Sequence, residues 1–148
     1  MAVDRSFVEQ NRLATKRMRD LAGRLSDDEL QHPVGEHWTV AIVFAHLAFL
    51  DRRARYVLEA TERENKVVIP DWDLFVNDLV TPLFAAIPPR RATEIAIETA
   101  EAIDRRLEEY PANLLEMVYS ATRRYVVRAD HRNENLNDAE AALGSAKV

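Results

Sequence analysis

Apolar residues recur along this chain at helical spacing, and no stretch shows the alternation of a half-buried strand. The first such stretch predicts a helix from Asp4 to Leu25, in which Phe7, Ala14, Met18, Leu21 and Leu25 recur three and four residues apart, as in the seam of a bundle. Asn11 occupies the remaining seam position, where a buried amide either fixes helix register or lines a polar pocket. Ser26-Asp27-Asp28-Glu29 reads as a capping box that starts a short turn of helix, and Pro33 with Gly35 then breaks the chain. Thr39 is placed to cap a second long helix reaching Glu64, with Val43, Leu47, Leu50, Ala54 and Val57 facing inward. His46 sits beside that stripe, one turn from Val43 and Leu50.

Beyond Glu64 the pattern is less regular. Asp71 to Val80 reads as the first section of a third helix, Pro82 restarts it after Thr81, and Ile87-Pro88-Pro89 forces an extended break. Arg91 to Glu109 resumes a clear period through Ala92, Ala96, Ala100, Ile103 and Leu107. Pro111 suits the first position of a fourth helix, which runs through Leu115, Val118, Thr122, Tyr125 and Ala129 toward Leu143, with Gly144 as its stop. Four amphipathic helices in 148 residues predict an all-α fold, a single antiparallel four-helix-bundle domain over residues 1–148.

Composition narrows the chemistry. The chain has no cysteine, which removes disulfides, thiolate ligands and an internal thiol nucleophile. A metal would have to be held by histidine, carboxylate or amide, and His32, His37, His46 and His131 are the only four histidines. A net charge of -5 removes the usual electrostatic reason to bind nucleic acid. The longest apolar run, Thr39 to Leu50, falls short of the ~20 residues needed to cross a bilayer. The first residues mix charges without the apolar stretch of a secretory signal. A soluble, cytoplasmic chain with neither membrane nor nucleic-acid partner is therefore expected. Its 20 basic residues comprise 17 Arg and three Lys, with local groups at Arg52-Arg53-Ala54-Arg55 and at Arg123, Arg124, Arg128 and Arg132. The last three are four apart, which makes either an anion-binding stripe or a solvated stripe paired with neighbouring acids.

His131 and Asn135 are also four apart and share one face of the fourth helix. With His46 from a facing helix they form the three-point arrangement that bundles use to hold a metal. From spacing alone the signal is weak, because an inward His on an apolar helix is more often a hydrogen-bonded core residue. Asp73 and Asn77 are placed to reach a pocket mouth between helices, while Trp72 and Phe75 beside them read as a lid or as the face of a homodimer.

The run from Leu25 to Leu30, then Pro33, Gly35, Trp38-Thr39-Val40, His46-Leu47-Ala48 and Asp51, resembles the signature of DinB-like proteins. Ala129 to Leu136 is similar to their last-helix motif, in which a His is followed four residues later by His-Leu. That group includes the mycothiol-dependent maleylpyruvate isomerases and the bacillithiol transferases, and the resemblance spans nearly the whole chain. It implies an antiparallel four-helix bundle with a divalent metal held by three histidines. His46 matches the first ligand and His131 the second, but Asn135 stands where the third is expected. An amide oxygen holds zinc or nickel more weakly than imidazole. Glu134 is adjacent but turned by about 100° around the helix.

Two functions follow as expectations. One is a metal-dependent thiol transferase or isomerase, in which a weakly held zinc or nickel activates a borrowed low-molecular-weight thiol of the mycothiol or bacillithiol type. The thiolate then attacks a small-molecule electrophile. The other is a bundle that has lost the metal and serves as a non-catalytic small-molecule-binding or interaction protein. In both, Asn11, Asn77 and Glu134 are expected in the pocket, and no catalytic residue is assigned.

Overall fold

The structure, a computed structural model, describes residues 2–71 and 75–145. Helix α1 runs Ser6–Arg24 and is followed by the single turn α2, Asp27–Leu30, whose capping box forms as the sequence predicts: the Ser26 hydroxyl accepts from the Glu29 amide and Glu29 Oε1 accepts from the Ser26 amide. A two-strand hairpin follows, β1 (Pro33–Val34) against β2 (Trp38–Thr39), where no strand is expected from the pattern. It is too short to show an alternation, and Gly35 turns it with φ +68, a conformation that favours glycine. Helix α3, Val40–Glu64, starts on the Thr39 cap, whose hydroxyl accepts from the Ile42 amide, and ends at Asn65 in the left-handed region.

Helix α4, Phe75–Ala85, runs through Pro82 instead of restarting there. The Thr81 hydroxyl donates to Asn77 O at 2.6 Å and accepts from Trp38 Nε1 at 3.3 Å, tying this helix to the hairpin. Its Phe75, Leu79 and Leu83 are exposed in one stripe, while Trp72 and Asp73 lie outside the described residues. Helix α5, Pro89–Glu109, begins on the second of the paired prolines.

The fourth long helix of the sequence reading is two helices. Helix α6 spans Ala112–Ala121, a 3-10 turn covers Arg123–Tyr125, and α7 spans Ala129–Ser145. Thr122 is extended, with φ -160 and ψ 112. The β-branched and aromatic residues here, Thr122, Tyr125, Val126 and Val127, are indifferent helix formers. Tertiary bonds decide against continuity: Asn11 Oδ1 on α1 accepts from the Ala129 amide at 3.0 Å, and Asn11 Nδ2 donates to Val126 O at 3.0 Å. Asn11 thus starts α7 from across the bundle, and the Arg128 guanidinium covers the freed Arg124 carbonyl.

Side-chain pairs fix the helix directions. Arg12–Glu108 and Arg19–Glu101 run α1 antiparallel to α5, and Asp51 with Arg132, followed by Arg53 with Tyr125 in the turn that precedes α7, run α3 antiparallel to α7. Arg17 reaches Asn133 at 3.0 Å and Asn137 at 2.7 Å, so α1 and α7 run together. The all-α bundle is therefore α1, α3, α5 and α7, with α4 carrying the crossover from α3 to α5.

Its core is two apolar clusters with a charged layer between them. Met18, Leu21, Val43, Leu47 and Leu136 belong to one, and Phe7, Ala54, Val57, Ile103 and Leu107 to the other. Between these positions lie Asn11, Thr15, Asp51 and Asp104, joined by Arg128 and Arg132, both 0% exposed. Asp51 Oδ1 accepts from Arg128 Nε at 2.9 Å and Asp51 Oδ2 from Arg132 Nε at 3.1 Å. Arg132 Nη2 donates to Asp104 Oδ1 at 2.9 Å, and its Nη1 to the Thr15 hydroxyl at 2.9 Å and to Asn11 O at 3.1 Å. The arginine stripe of the sequence reading is thus divided: Arg128 and Arg132 are neither a solvated face nor an anion site, but the buried partners of two aspartates.

A buried charge that loses its partner costs ~3–5 kcal/mol, whereas an exposed pair contributes ~1 kcal/mol or less. Asp51→Asn should therefore lower unfolding free energy in urea by at least ~3 kcal/mol. Lys16→Ala, which breaks only the exposed pair with Asp20, should change it by less than ~1 kcal/mol. A loss below ~1 kcal/mol for Asp51→Asn would mean the layer does not hold the bundle together.

Candidate functional site

Five of the six side chains singled out from the sequence meet in one cleft. His46, from α3, and His131, Glu134 and Asn135, from α7, line it together with Asn77 of α4, in a volume of about 360 Å³. Phe49, Leu50, Arg53, Val76 and Arg124 complete the wall. Asn11 is the exception. It is 1% exposed, and both ends of its amide are engaged in capping α7, so it belongs to the charged layer and not to the lining.

Arg53 is the lining residue that sequence reasoning did not select. Its signal was present, because it follows His46 by seven residues and so shares its face of α3. Its guanidinium lies 5.4 Å from the centre of the Tyr125 ring, a cation–π distance. Arg124 reaches the cleft from the 3-10 turn, where the break of the helix carries it out of the stripe of Arg128 and Arg132. It pairs with Glu134, Nη2 to Oε2 at 2.5 Å. That pairing uses the one carboxylate among the described residues of the cleft wall.

The imidazoles are uncharged at neutral pH. Burial, and then the Arg53 guanidinium, bring the His46 pKa down to about 4. Burial brings His131 down to about 3, followed by Arg128, Arg124 and Arg53, while Asp51 acts in the opposite direction. The His46 ring lies 4.6 Å from Trp38, tilted by 49°, and its Nδ1 is buried with no hydrogen-bond partner among the described residues. Asn135 Nδ2 donates back to His131 O at 2.8 Å, one turn earlier on the same helix, which leaves its amide oxygen as the only donor atom that side chain offers a metal. His37 is exposed on the hairpin turn beside Glu36, and His32 is outside the cleft lining.

This geometry, two histidines on facing helices of an α1–α3–α5–α7 bundle, agrees with a match over most of the sequence. The model of the mycothiol maleylpyruvate isomerase N-terminal domain matches residues 11–142. The chain belongs to this DinB-like family. No curated protein and no solved structure matches the chain. No helix among the described residues is long and apolar enough to cross a membrane.

The depressed imidazole pKa values set a pH dependence. An unfolded imidazole titrates near 6.5. Below that pH the unfolded chain takes up two protons that the folded chain refuses until about 4 at His46 and about 3 at His131. Their contribution to stability is full above ~6.5 and is lost as pH falls toward the folded values. The urea midpoint should fall between about pH 7 and pH 5 in the wild type and fall less in His46→Gln/His131→Gln. Equal drops in the two proteins would show that the two imidazoles are not held neutral.

Proposed function

We propose that this chain binds a small molecule through an anionic group in the cleft between α3, α4 and α7. The observation that carries the reading is the charge of the wall: Arg53 and Arg124 flank two uncharged imidazoles, and Glu134, the one carboxylate among the described lining residues, is already paired with Arg124. A guanidinium in a half-buried wall makes charge-assisted bonds to carboxylate or thiolate oxygen or sulfur. The amides of Asn77 and Asn135 add neutral hydrogen-bonding capacity beside it.

Membership of a family named for mycothiol supports a second, narrower reading in which the anion is the thiolate of a low-molecular-weight thiol. The absence of cysteine in the chain agrees with a borrowed nucleophile. In that scheme the arginines would favour the thiolate, since neighbouring cations lower a thiol pKa. The imidazoles are poor bases for the same step. Moving a proton from a free thiol near 8.5 to a ring that titrates at about 4 is uphill by roughly 6 kcal/mol. The thiol proton would therefore leave to solvent, and His46 and His131 would act as hydrogen-bonding groups to the bound molecule.

Calorimetry with pyruvate as the carboxylate and 2-mercaptoethanol as the thiol, its thiolate followed by ultraviolet absorbance, separates the two sources. Arg124→Gln should weaken binding of the anion about tenfold, the ~1.4 kcal/mol low end of a charged hydrogen bond. Glu134→Gln should strengthen it several-fold by releasing the Arg124 guanidinium. Binding that ignores both substitutions would place the anion elsewhere, and no binding of either probe would refute the reading.

A further inference from the structure

The resemblance to DinB-like proteins implies a divalent metal at His46, His131 and the third position, and the side chains gathered here do not fit one. Zinc and nickel are held tightly where ligand charge offsets that of the ion, by thiolate or carboxylate, or where three imidazoles converge. This cleft offers two imidazoles and the amides of Asn77 and Asn135, with a combined formal charge of zero. Its carboxylate, Glu134, is held by Arg124. Among the described residues no group of three His, Cys, Asp or Glu is placed to hold a metal ion.

The surroundings oppose the ion as well. A ligating imidazole ordinarily donates its second ring N–H to an acceptor that fixes its tautomer and aim, and His46 Nδ1 has none among the described residues. Arg53 and Arg124 line the same cleft as His131. A divalent ion beside that ring would face the repulsion of both guanidinium groups. Asp51, the opposing charge, is already shared between Arg128 and Arg132.

We propose that the cleft works without a divalent metal, and that the positive charge at its mouth is supplied by the guanidinium groups of Arg53 and Arg124. This rests on the reading of the cleft as an anion site, but its test stands apart from that reading. Arg124 is then a specificity-determining residue, since it binds the anion, engages Glu134 and excludes the cation. Asn135 completes the exclusion by withholding a third imidazole.

The test is calorimetric titration of the full chain, purified without an affinity tag, with zinc and with nickel, alongside elemental analysis. The wild type should bind neither ion more tightly than ~10 μM and should carry well under one metal per chain. Asn135→His should gain less affinity than Asn135→His/Arg124→Gln, with the two separated by about tenfold. Sub-micromolar zinc or nickel binding by the wild type would overturn the proposal. Equal affinities of the single and double variants would overturn the role given to Arg124. Pyruvate binding unchanged by EDTA supports metal independence, and pyruvate binding abolished by EDTA contradicts it. Failure of pyruvate to bind at all tells against the anion reading, and the metal titrations still decide the metal question.

Discussion

Two arginines and two aspartates buried at the middle of the bundle constrain everything around them. Each guanidinium would be costly to desolvate alone, and each is satisfied only if α3 and α7, and α1 and α5 with them, stand in one register. Asp51 lends one oxygen to each arginine, so it locks the height of α7 against α3. Arg132 reaches from α7 to Thr15 on α1 and Asp104 on α5, so a single side chain touches the other three helices of the bundle through Asp51, Thr15 and Asp104. Apolar packing above and below would tolerate a sliding helix more readily than this layer does, because apolar contacts are non-directional.

The cleft follows from that register. His131 immediately precedes Arg132, about 100° around the helix, so the bond that anchors Arg132 inward turns His131 toward α3 and the His46 face. Burial keeps His131 uncharged, and Arg128, buried for structural reasons, adds to that effect electrostatically. The chain break that Asn11 caps places Arg124 at the rim, where it meets Glu134. Structure and site are therefore parts of one arrangement, in which the field from the buried layer reaches the cleft and Arg53 and Arg124 extend it to the mouth.

Much of this was legible in the chain. Helical period located α1, α3 and α5 within a few residues, because their inward stripes are long, and the caps of α2 and α3, the Ser26 box and Thr39, are local. Spacing and resemblance together selected His46, His131 and Asn135, which the fold brings to one cleft. What the pattern missed depends on distant partners. Nothing local breaks the helix between Thr122 and Arg128, since the decisive cap comes from Asn11 more than a hundred residues earlier. The four-residue spacing of Arg124, Arg128 and Arg132 looks like a surface stripe because the partners of Arg128 and Arg132, Asp51 and Asp104, lie on other helices. Pro82 looked like a restart, yet helix α4 runs through it, with Thr81 tied to Trp38.

The central claim is that burial and arginine charge give this cleft two neutral imidazoles. Nitrogen-15 NMR of histidine-labelled protein at about pH 5.5, a full unit below the ordinary imidazole value, reads that charge state directly. The account predicts that the His46 and His131 rings give neutral-imidazole signals there, because their pKa values are about 4 and about 3. Imidazolium signals from both rings at that pH would contradict it, and would mean that neither the buried layer nor the arginines of the wall govern the cleft.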